Sequence, residues 1–384
     1  MANLPFALPD IGKDEIAAVS ACLESGWLTS GRKVQEFEAA FASFVGARHA
    51  IAVNSATTGA LLVLDALGVG PGTEVIVPAY TFSGPAMMAH RLGAKVVLAD
   101  CEPGGYQVSS EDVHRKITER TRVMMPTHFG GLACNMDALS DLPSHVALVD
   151  DAAHALPTLD WSTNSMVGEG RVSTATFFSF YATKCLTTGE GGMVTTNDGD
   201  LAARLRKLRL HGFDRQAFDR YTNLRTGWKY DVVAPGWKAN MTDVAAALGL
   251  VQLGRLHEMH ASRIRIAERY QAALADVPGI ILPSEDHGHA WHLYPVQVAQ
   301  RDLFVSLMGE KSVQCSVHFI PLSLHSYWRR LLPLADRDCP QAEAIYARSL
   351  SLPIYSRMTD ADAERVVAAV LETLRETDGA AGLE

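Results

Sequence analysis

The segment Phe177–Met193, FFSFYATKCLTTGEGGM, joins an apolar strand to a lysine and a glycine-rich turn. Lys184 follows small and hydroxyl-bearing residues, and Gly189, Gly191 and Gly192 close the segment. Partial burial at a strand end lowers the pKa of a lysine and favours the neutral amine, which is the nucleophilic form. An isolated loop lysine is more often simply exposed to solvent, so other motifs of the chain decide its interpretation.

Short apolar runs alternate with helical patterns on the amino-terminal side of this segment. Nearly all-apolar runs are typical of strands that are buried on both faces of a parallel sheet. Repeated strand–helix units predict a layered α/β sheet with ligands at the carboxyl ends of its strands. The expected strands are His49–Val53, Glu74–Val77, Lys95–Ala99, Arg122–Met125, Val146–Val149, Ala175–Phe178 and Gly192–Thr195, with helices at Thr57–Leu67 and Gly84–Leu92.

Further helical patterns flank the expected sheet. We expect a large α/β domain over residues 1–250, and a linking helix with a smaller C-terminal α+β domain over residues 251–384. Helices are expected at Lys13–Ser25, Lys33–Phe44, Asn240–Leu274 and Asp360–Glu376, strands at Trp291–Val298 and Gln314–Phe319, and a long loop at Asp214–Pro235.

Composition excludes several classes of function. The net charge of −9 argues against nucleic acid as the main partner. No apolar run approaches the roughly 18 residues that span a bilayer, and the N-terminus lacks the pattern of a signal peptide, so we expect a cytoplasmic protein. The 6 cysteines are scattered without a CxxC pair, which favours free thiols and no metal site.

A second motif, HVALVDDAAHALPT at His145–Thr158, places two acids at the end of an apolar strand. Pyridoxal phosphate (PLP) requires a carboxylate at its pyridine nitrogen, because the protonated ring accepts electrons. We assign this role to Asp151, since small residues and His154 follow it and leave room for a flat ring. Acids also end strands as helix caps, and Asp150 fits that alternative.

Two further strand ends complete the pattern. In VNSATTGAL, Val53–Leu61, a small polar turn opens a helix, and a helix N-terminus binds phosphate. A plain N-cap by Ser55 or Thr57 is an equal alternative at this position. Phe82 in PAYTFS could stack on a cofactor ring, although the motif taken alone favours a simple packing role.

These motifs together resemble the DegT/StrS family of nucleotide-sugar aminotransferases. The resemblance implies an aspartate-aminotransferase-like fold (fold type I of the PLP enzymes), with a mostly parallel sheet sandwiched by helices. The motifs that carry it, in family order, are SGWLTSG (Ser25–Gly31), PAYTFS, THFGG (Thr127–Gly131), VDDAAHA, FSFYATKCLTTGEGG, LRLHG (Leu208–Gly212), GWKANMTDVAAALGLVQL (Gly236–Leu253) and SLPIY (Ser351–Tyr355).

The resemblance also implies roles for individual residues. Lys184 would form the Schiff base, Asp151 would pair with the pyridine nitrogen, and His154 would lie beside the phenolic oxygen. Lys238 would reach the phosphate from a second subunit, so a homodimer with shared sites is implied. The other implied contacts are Phe82 on the cofactor ring, Ala56, Thr57 and Ser179 at the phosphate, and Thr29, Ser30 and His318 at the substrate.

The implied reaction is transamination of a keto nucleotide sugar, at carbon 4, with L-glutamate as donor and pyridoxamine phosphate as the intermediate cofactor form. The Lys238-Ala239-Asn240 sequence replaces the family's usual Asn-Tyr-Arg and is similar to that of the UDP-4-keto-pentose aminotransferases. An aminotransferase of a keto-cyclitol or a 3-keto sugar, and a non-catalytic PLP-binding protein, stay open as alternatives. A sugar dehydratase is disfavoured because such enzymes replace the lysine with histidine.

Overall fold

A computed structural model describes residues 3–215, 228–285 and 288–381 of the chain. Positions 216–227, which belong to the loop expected at Asp214–Pro235, lie outside the described residues. Within these ranges, every helix is too short or too polar to cross a lipid bilayer.

Strands and helices alternate through the first half of the chain, and each expected strand forms with ends shifted by two residues at most. The strands are β1 (His49–Val53), β2 (Glu74–Pro78), β3 (Lys95–Ala99), β4 (Thr121–Met124), β5 (Ala147–Asp151), β6 (Leu159–Asp160), β7 (Ser165–Met166), β8 (Ala175–Ser179) and β9 (Gly192–Thr196). The helices are α1 (Lys13–Glu24), α2 (Arg32–Val45), α3 (Ala56–Ala66), α4 (Ser83–Arg91), α5 (Ser110–Lys116) and α6 (Gly199–Leu208).

The central sheet has seven strands in the order β1-β9-β8-β5-β4-β2-β3. Strands β8, β5, β4, β2 and β3 pair in parallel. Strand β9 is antiparallel to both of its neighbours, and it returns directly from β8 through the turn that contains Lys184. The expected mostly parallel sheet is therefore confirmed, with β9 as its antiparallel member.

The turn from β1 into α3 lies against the start of β9. Ser55 caps the helix, since its hydroxyl accepts a hydrogen bond from the Thr58 N–H at 3.1 Å. A Cβ atom at Gly192 would lie 2.7 Å from the backbone nitrogen of Ala56, so only glycine allows this approach. The close approach positions the first turn of α3 beside the segment that contains Lys184.

A long helix, α7 (Asp243–Leu274), follows the sheet and packs on α1 and α2. It begins three residues later than expected because the Thr242 hydroxyl is its N-cap. The buried carboxylate of Asp243 accepts hydrogen bonds from the backbone N–H groups of Gly31 at 2.7 Å, Val34 at 3.0 Å and Lys33 at 3.2 Å. One side chain of α7 thus caps α2 and fixes the loop that precedes it.

The C-terminal part has a smaller sheet in the order β10-β11-β12 and an apolar cluster that includes Tyr270 and Tyr294. The expected boundary between residues 250 and 251 stays a prediction. The elements are β10 (Ile280–Ile281), β11 (Tyr294–Val298), α8 (Arg301–Glu310), α9 (Ser326–Leu331), α10 (Pro340–Arg348), β12 (Ser349–Leu352) and α11 (Asp360–Ala381).

Two expected strands differ from the structure. The prediction of a strand at Gln314–Phe319 is wrong, because the backbone of this segment forms hydrogen bonds with two different parts of the chain and pairs continuously with neither. Gln314 N–H donates to the Leu4 carbonyl at 3.0 Å, and Ser316 N–H donates to the Ser351 carbonyl at 3.2 Å. The strand expected at Trp291 begins only at Tyr294, since Trp291 has a φ of 51°, which interrupts extended backbone.

Replacing Asp243 tests this cap. We expect Asp243→Ala to lower the free energy of unfolding by about 2–3 kcal/mol, because three backbone N–H groups lose their acceptor. Urea denaturation at fixed protein concentration measures the change. The exposed Asp276→Ala is the matched control and should stay within about 0.5 kcal/mol of the parent protein. Equal stabilities of the two variants would contradict the assigned role.

Candidate active site

A cavity of about 480 Å³ lies at the carboxyl ends of β5 and β8, beside the N-terminus of α3. Its wall includes residues from both the central sheet and the C-terminal part. Most of the residues that the sequence singles out are brought together here. They are Ala56, Thr57, Phe82, Asp151, His154, Ser179, Lys184 and His318.

Lys184 lies in the turn after β8, with one side facing the cavity and its amine enclosed by protein atoms. The amine nitrogen is 3.4 Å from Nε2 of His292. Burial lowers the pKa of Lys184 to about 8, and the neighbouring carboxylate of Asp151 limits this shift. Near physiological pH this pKa leaves a far larger neutral fraction than an ordinary lysine has, and the neutral amine is the form that attacks an aldehyde.

The two acids at the end of β5 face different surroundings. Asp151 lines the cavity and accepts a hydrogen bond from the Ala153 N–H at 3.0 Å, while burial raises its pKa to about 6. Asp150 instead accepts hydrogen bonds from the Ser173 hydroxyl at 2.6 Å and the Thr176 hydroxyl at 3.2 Å. This difference follows from strand geometry, since consecutive side chains point to opposite faces.

The first turn of α3 borders the cavity through Ala56 and Thr57. The early N–H groups of a helix have no intrahelical acceptor, and together with the helix dipole they favour an anion. Ser179, the last residue of β8, lies on the same cavity wall. The Ser55 cap takes the N–H of Thr58, so it does not use the N–H groups of Ala56 and Thr57, and a cap is compatible with a phosphate site at this helix end.

Three histidines surround the amine of Lys184. His154 accepts a hydrogen bond at Nδ1 from the Gly130 N–H at 3.2 Å, so its Nε2 carries the proton of the neutral ring. Burial lowers the pKa of His154 and of His292 well below the ordinary value, and lowers that of His318 to about 4. All three rings are therefore neutral at physiological pH. Each offers the cavity a hydrogen-bond donor or acceptor but no positive charge.

His292 is a site residue to which the sequence assigns no role. Its segment AWHLYPV, Ala290–Val296, carries part of the resemblance to the UDP-4-keto-pentose aminotransferases and part of an expected strand, but 108 positions separate His292 from Lys184. Neither pattern indicates this contact. Other wall residues that were not predicted are Phe6, Thr81, Thr127, Tyr181, Thr183, Glu190, Leu293 and Phe319.

Phe82 is 58% exposed and faces the cavity, with its ring 6.0 Å from that of Phe319. A packing role would bury this side chain. The open ring face therefore supports contact with a flat ligand over a packing role.

Thr29, Ser30 and Lys238 do not line this cavity. The Ser30 hydroxyl accepts a hydrogen bond from the Asn240 amide at 2.7 Å, which joins the two segments that contain these residues. Lys238 is exposed, and its amine donates to the side-chain oxygen of Asn240. In a single chain these residues do not meet Lys184, and their assignment to a site shared between two subunits stays a prediction.

The cavity fits PLP in its chemistry. A helix N-terminus suits the phosphate, the buried Asp151 suits the pyridine nitrogen, and the enclosed amine of Lys184 suits the aldehyde. In the part of the chain that the structure describes, no group of three or more His, Cys, Asp or Glu side chains has the arrangement of a metal site.

Comparisons with known proteins extend over nearly the whole chain. The model of the DegT/DnrJ/EryC1/StrS aminotransferase family matches residues 9–371. The spore coat polysaccharide biosynthesis protein SpsC of Bacillus subtilis is 44% identical over 386 residues, which cover 98% of each chain.

Solved structures are similar as well. The sugar aminotransferase Spr1654 of Streptococcus pneumoniae, described as putative and solved in its PMP form, has a TM-score of 0.90 at 28% identity and covers 99% of this chain and 100% of its own. The same protein has been solved in its PLP form. DesV of S. venezuelae has a TM-score of 0.88 at 31% identity, with 97% of this chain and 99% of that chain covered.

The lowered pKa of Lys184 gives a test by pH. We expect cofactor-free protein to bind added PLP covalently at a rate that rises with pH and levels off above about 8, because only the neutral amine attacks an aldehyde. Stopped-flow absorbance measures this rate. Lys184→Ala should form no covalent adduct, whereas the exposed Lys13→Ala should behave as the parent protein. An adduct in Lys184→Ala would disprove the assignment.

Proposed function

We propose that this chain, which belongs to the DegT/DnrJ/EryC1/StrS aminotransferase family, transfers the amino group of L-glutamate to the 4-keto group of a nucleotide-linked sugar. Membership of the family establishes the class of enzyme. The chain is a PLP-dependent sugar aminotransferase with the fold of its solved relatives. The donor, the carbon that receives the amine and the nucleotide are the proposed part.

One observation carries the proposal for the site residues. The amine of Lys184 and the carboxylate of Asp151 border the same cavity, next to the first turn of α3. When bound, PLP supplies an aldehyde that reacts with amines and a ring that withdraws electrons from the reacting carbon. A lysine, an acid and an anion-binding helix end are the protein groups that this chemistry requires.

We assign a role to each residue from its surroundings. Lys184 would bind the aldehyde and, once released, would carry the proton as base and then as acid. Asp151 would keep the pyridine nitrogen protonated, and the Nε2–H of His154 would be available to the phenolic oxygen. Ala56, Thr57 and Ser179 would hold the phosphate, and Phe82 would cover one ring face.

The substrate side of the proposal rests on fewer contacts. His318 lies on the cavity wall and is a candidate for contact with the sugar. Thr29, Ser30 and Lys238 would complete the site from the second subunit of a homodimer. A positive charge at Lys238 suits a phosphate, in place of the family's usual asparagine. The similarity to SpsC, a spore coat polysaccharide biosynthesis protein, supports an activated sugar as the acceptor.

The substrate assignment is tested by incubating the PLP-loaded protein with L-glutamate and a panel of 4-keto nucleotide sugars, 3-keto nucleotide sugars and keto-cyclitols. Mass spectrometry of the products should show an amine replacing the keto oxygen of a 4-keto nucleotide sugar. Preferred conversion of a 3-keto sugar or a cyclitol would replace the proposed acceptor. If glutamate leaves the cofactor spectrum unchanged, the proposed donor is wrong.

Asp151→Asn should keep covalent binding of PLP through Lys184 but slow the half-reaction with glutamate by about 10²–10⁴-fold, because a neutral amide no longer holds the ring nitrogen protonated. Single-turnover absorbance measures the rate. The neighbouring Asp150→Asn is the matched control, since Asp150 does not line the cavity. It should change stability more than the rate. Near-normal turnover in Asp151→Asn would remove Asp151 from the mechanism.

A shared site predicts complementation between two defective variants. Lys238→Ala should weaken cofactor retention, and Lys184→Ala should be inactive. After dissociation and random reassociation of an equal mixture, about a quarter of the sites should be intact, because each mixed dimer has one unaltered pair. Recovered activity measures this fraction. If the mixture shows no more than half the activity of Lys238→Ala alone, Lys238 serves its own chain and the shared site is wrong.

A further inference from the structure

His292 makes a side-chain contact with the reactive amine. Its Nε2 lies 3.4 Å from the amine nitrogen of Lys184, and the ring is buried at 6% exposure. The other ring nitrogen, Nδ1, is buried and has no hydrogen-bond partner among the described residues. A buried polar atom without a partner is rare, and it needs a reason in the function of the molecule.

The ring is held in place by its surroundings rather than by its own hydrogen bonds. The Leu293 N–H donates to the Gly130 carbonyl at 3.0 Å, which anchors the backbone next to His292. The ring of His154 packs against it with centroids 4.4 Å apart. A fixed imidazole beside a flexible lysine therefore defines where the lysine amine is held.

The charges around this pair indicate how the two groups interact. The titratable groups that face Lys184 are Asp151 from β5, His154 from the segment after it, Cys185 and Glu190 from the turn before β9, and His292 and His318 from the C-terminal part. Burial, the nearby amine of Lys184, the ring of His154, the guanidinium group of Arg263 from α7 and the ring of His318 all lower the pKa of His292 and keep its ring neutral. A neutral imidazole next to an ammonium group acts as a hydrogen-bond acceptor at Nε2.

We propose that His292 is a positioning residue, whose Nε2 accepts a hydrogen bond from the Lys184 amine and holds that amine in the cavity whenever it is not bonded to the cofactor. The inference rests on the proposed role of Lys184. Released lysine has several rotatable bonds, and each transfer of a proton requires its nitrogen to return to one place. His292 restricts this movement and stabilises the ammonium form between the two transfers.

If His292 accepts this hydrogen bond, its removal should shift the pKa of Lys184 in a defined direction. Loss of the acceptor removes a stabilising contact of the ammonium form, so His292→Phe should lower the pKa of Lys184. The midpoint of the pH profile for covalent PLP binding by cofactor-free protein should then move down by about one unit. With cofactor bound, the single-turnover rate with glutamate should fall by about 10–100-fold, because the free amine is no longer held.

Two variants separate positioning from packing. His292→Gln places an amide oxygen near Nε2 and should restore the midpoint and most of the rate. His289→Phe alters a histidine of the same segment that is equally buried, with its ring stacked 4.0 Å from Trp291, but that does not line the cavity. It should affect thermal stability and leave the midpoint unchanged.

The midpoint of covalent PLP binding tests the proposal without any sugar substrate. An unshifted midpoint in His292→Phe, or an equal shift in His289→Phe, would overturn it. Failure of the parent protein to react with glutamate would refute the proposed donor alone, since the binding midpoint still reports on His292. Covalent PLP binding by Lys184→Ala would instead refute the role of Lys184 on which this inference rests.

Discussion

An amine and a carboxylate buried against one cavity form the constraint on which the rest of this structure depends. Each charge alone would be costly to remove from water, and burial shifts the pKa of Lys184 down and that of Asp151 up. A protein tolerates such a pair only where rigid elements hold both groups. Here Asp151 ends β5, and Lys184 lies in the turn that follows the adjacent parallel strand β8.

The surrounding architecture follows from the need to place further groups at the same edge. Parallel strands deliver their carboxyl ends to one side of the sheet, and the first turn of α3 reaches that side through the close approach at Gly192. The antiparallel β9 makes this possible, because it starts where its neighbours end. The C-terminal part then closes the cavity with neutral histidines, which add hydrogen-bonding capacity without further charge.

Much of this could be predicted from the sequence, because its signals are local. Apolar runs located every strand of the central sheet, and the strand-end motifs located Lys184, Asp151 and Ala56. Other features depend on tertiary contacts, and two examples show why the sequence could not predict them. The segment Gln314–Phe319 has a strand-like composition, yet its backbone is divided between two partners. His292 meets Lys184 only through tertiary packing, so no periodicity or spacing could indicate the contact.

The carboxylate of Asp243 has a mechanical consequence. It ties the loop that contains Thr29 and Ser30 to the first residue of α7, directly after the segment that contains Lys238. The Ser30–Asn240 hydrogen bond adds a second link between them. These hydrogen bonds couple the position of both segments to that of α7. A displacement of α7 would therefore move the residues proposed to contact the substrate and the phosphate together, rather than one after the other.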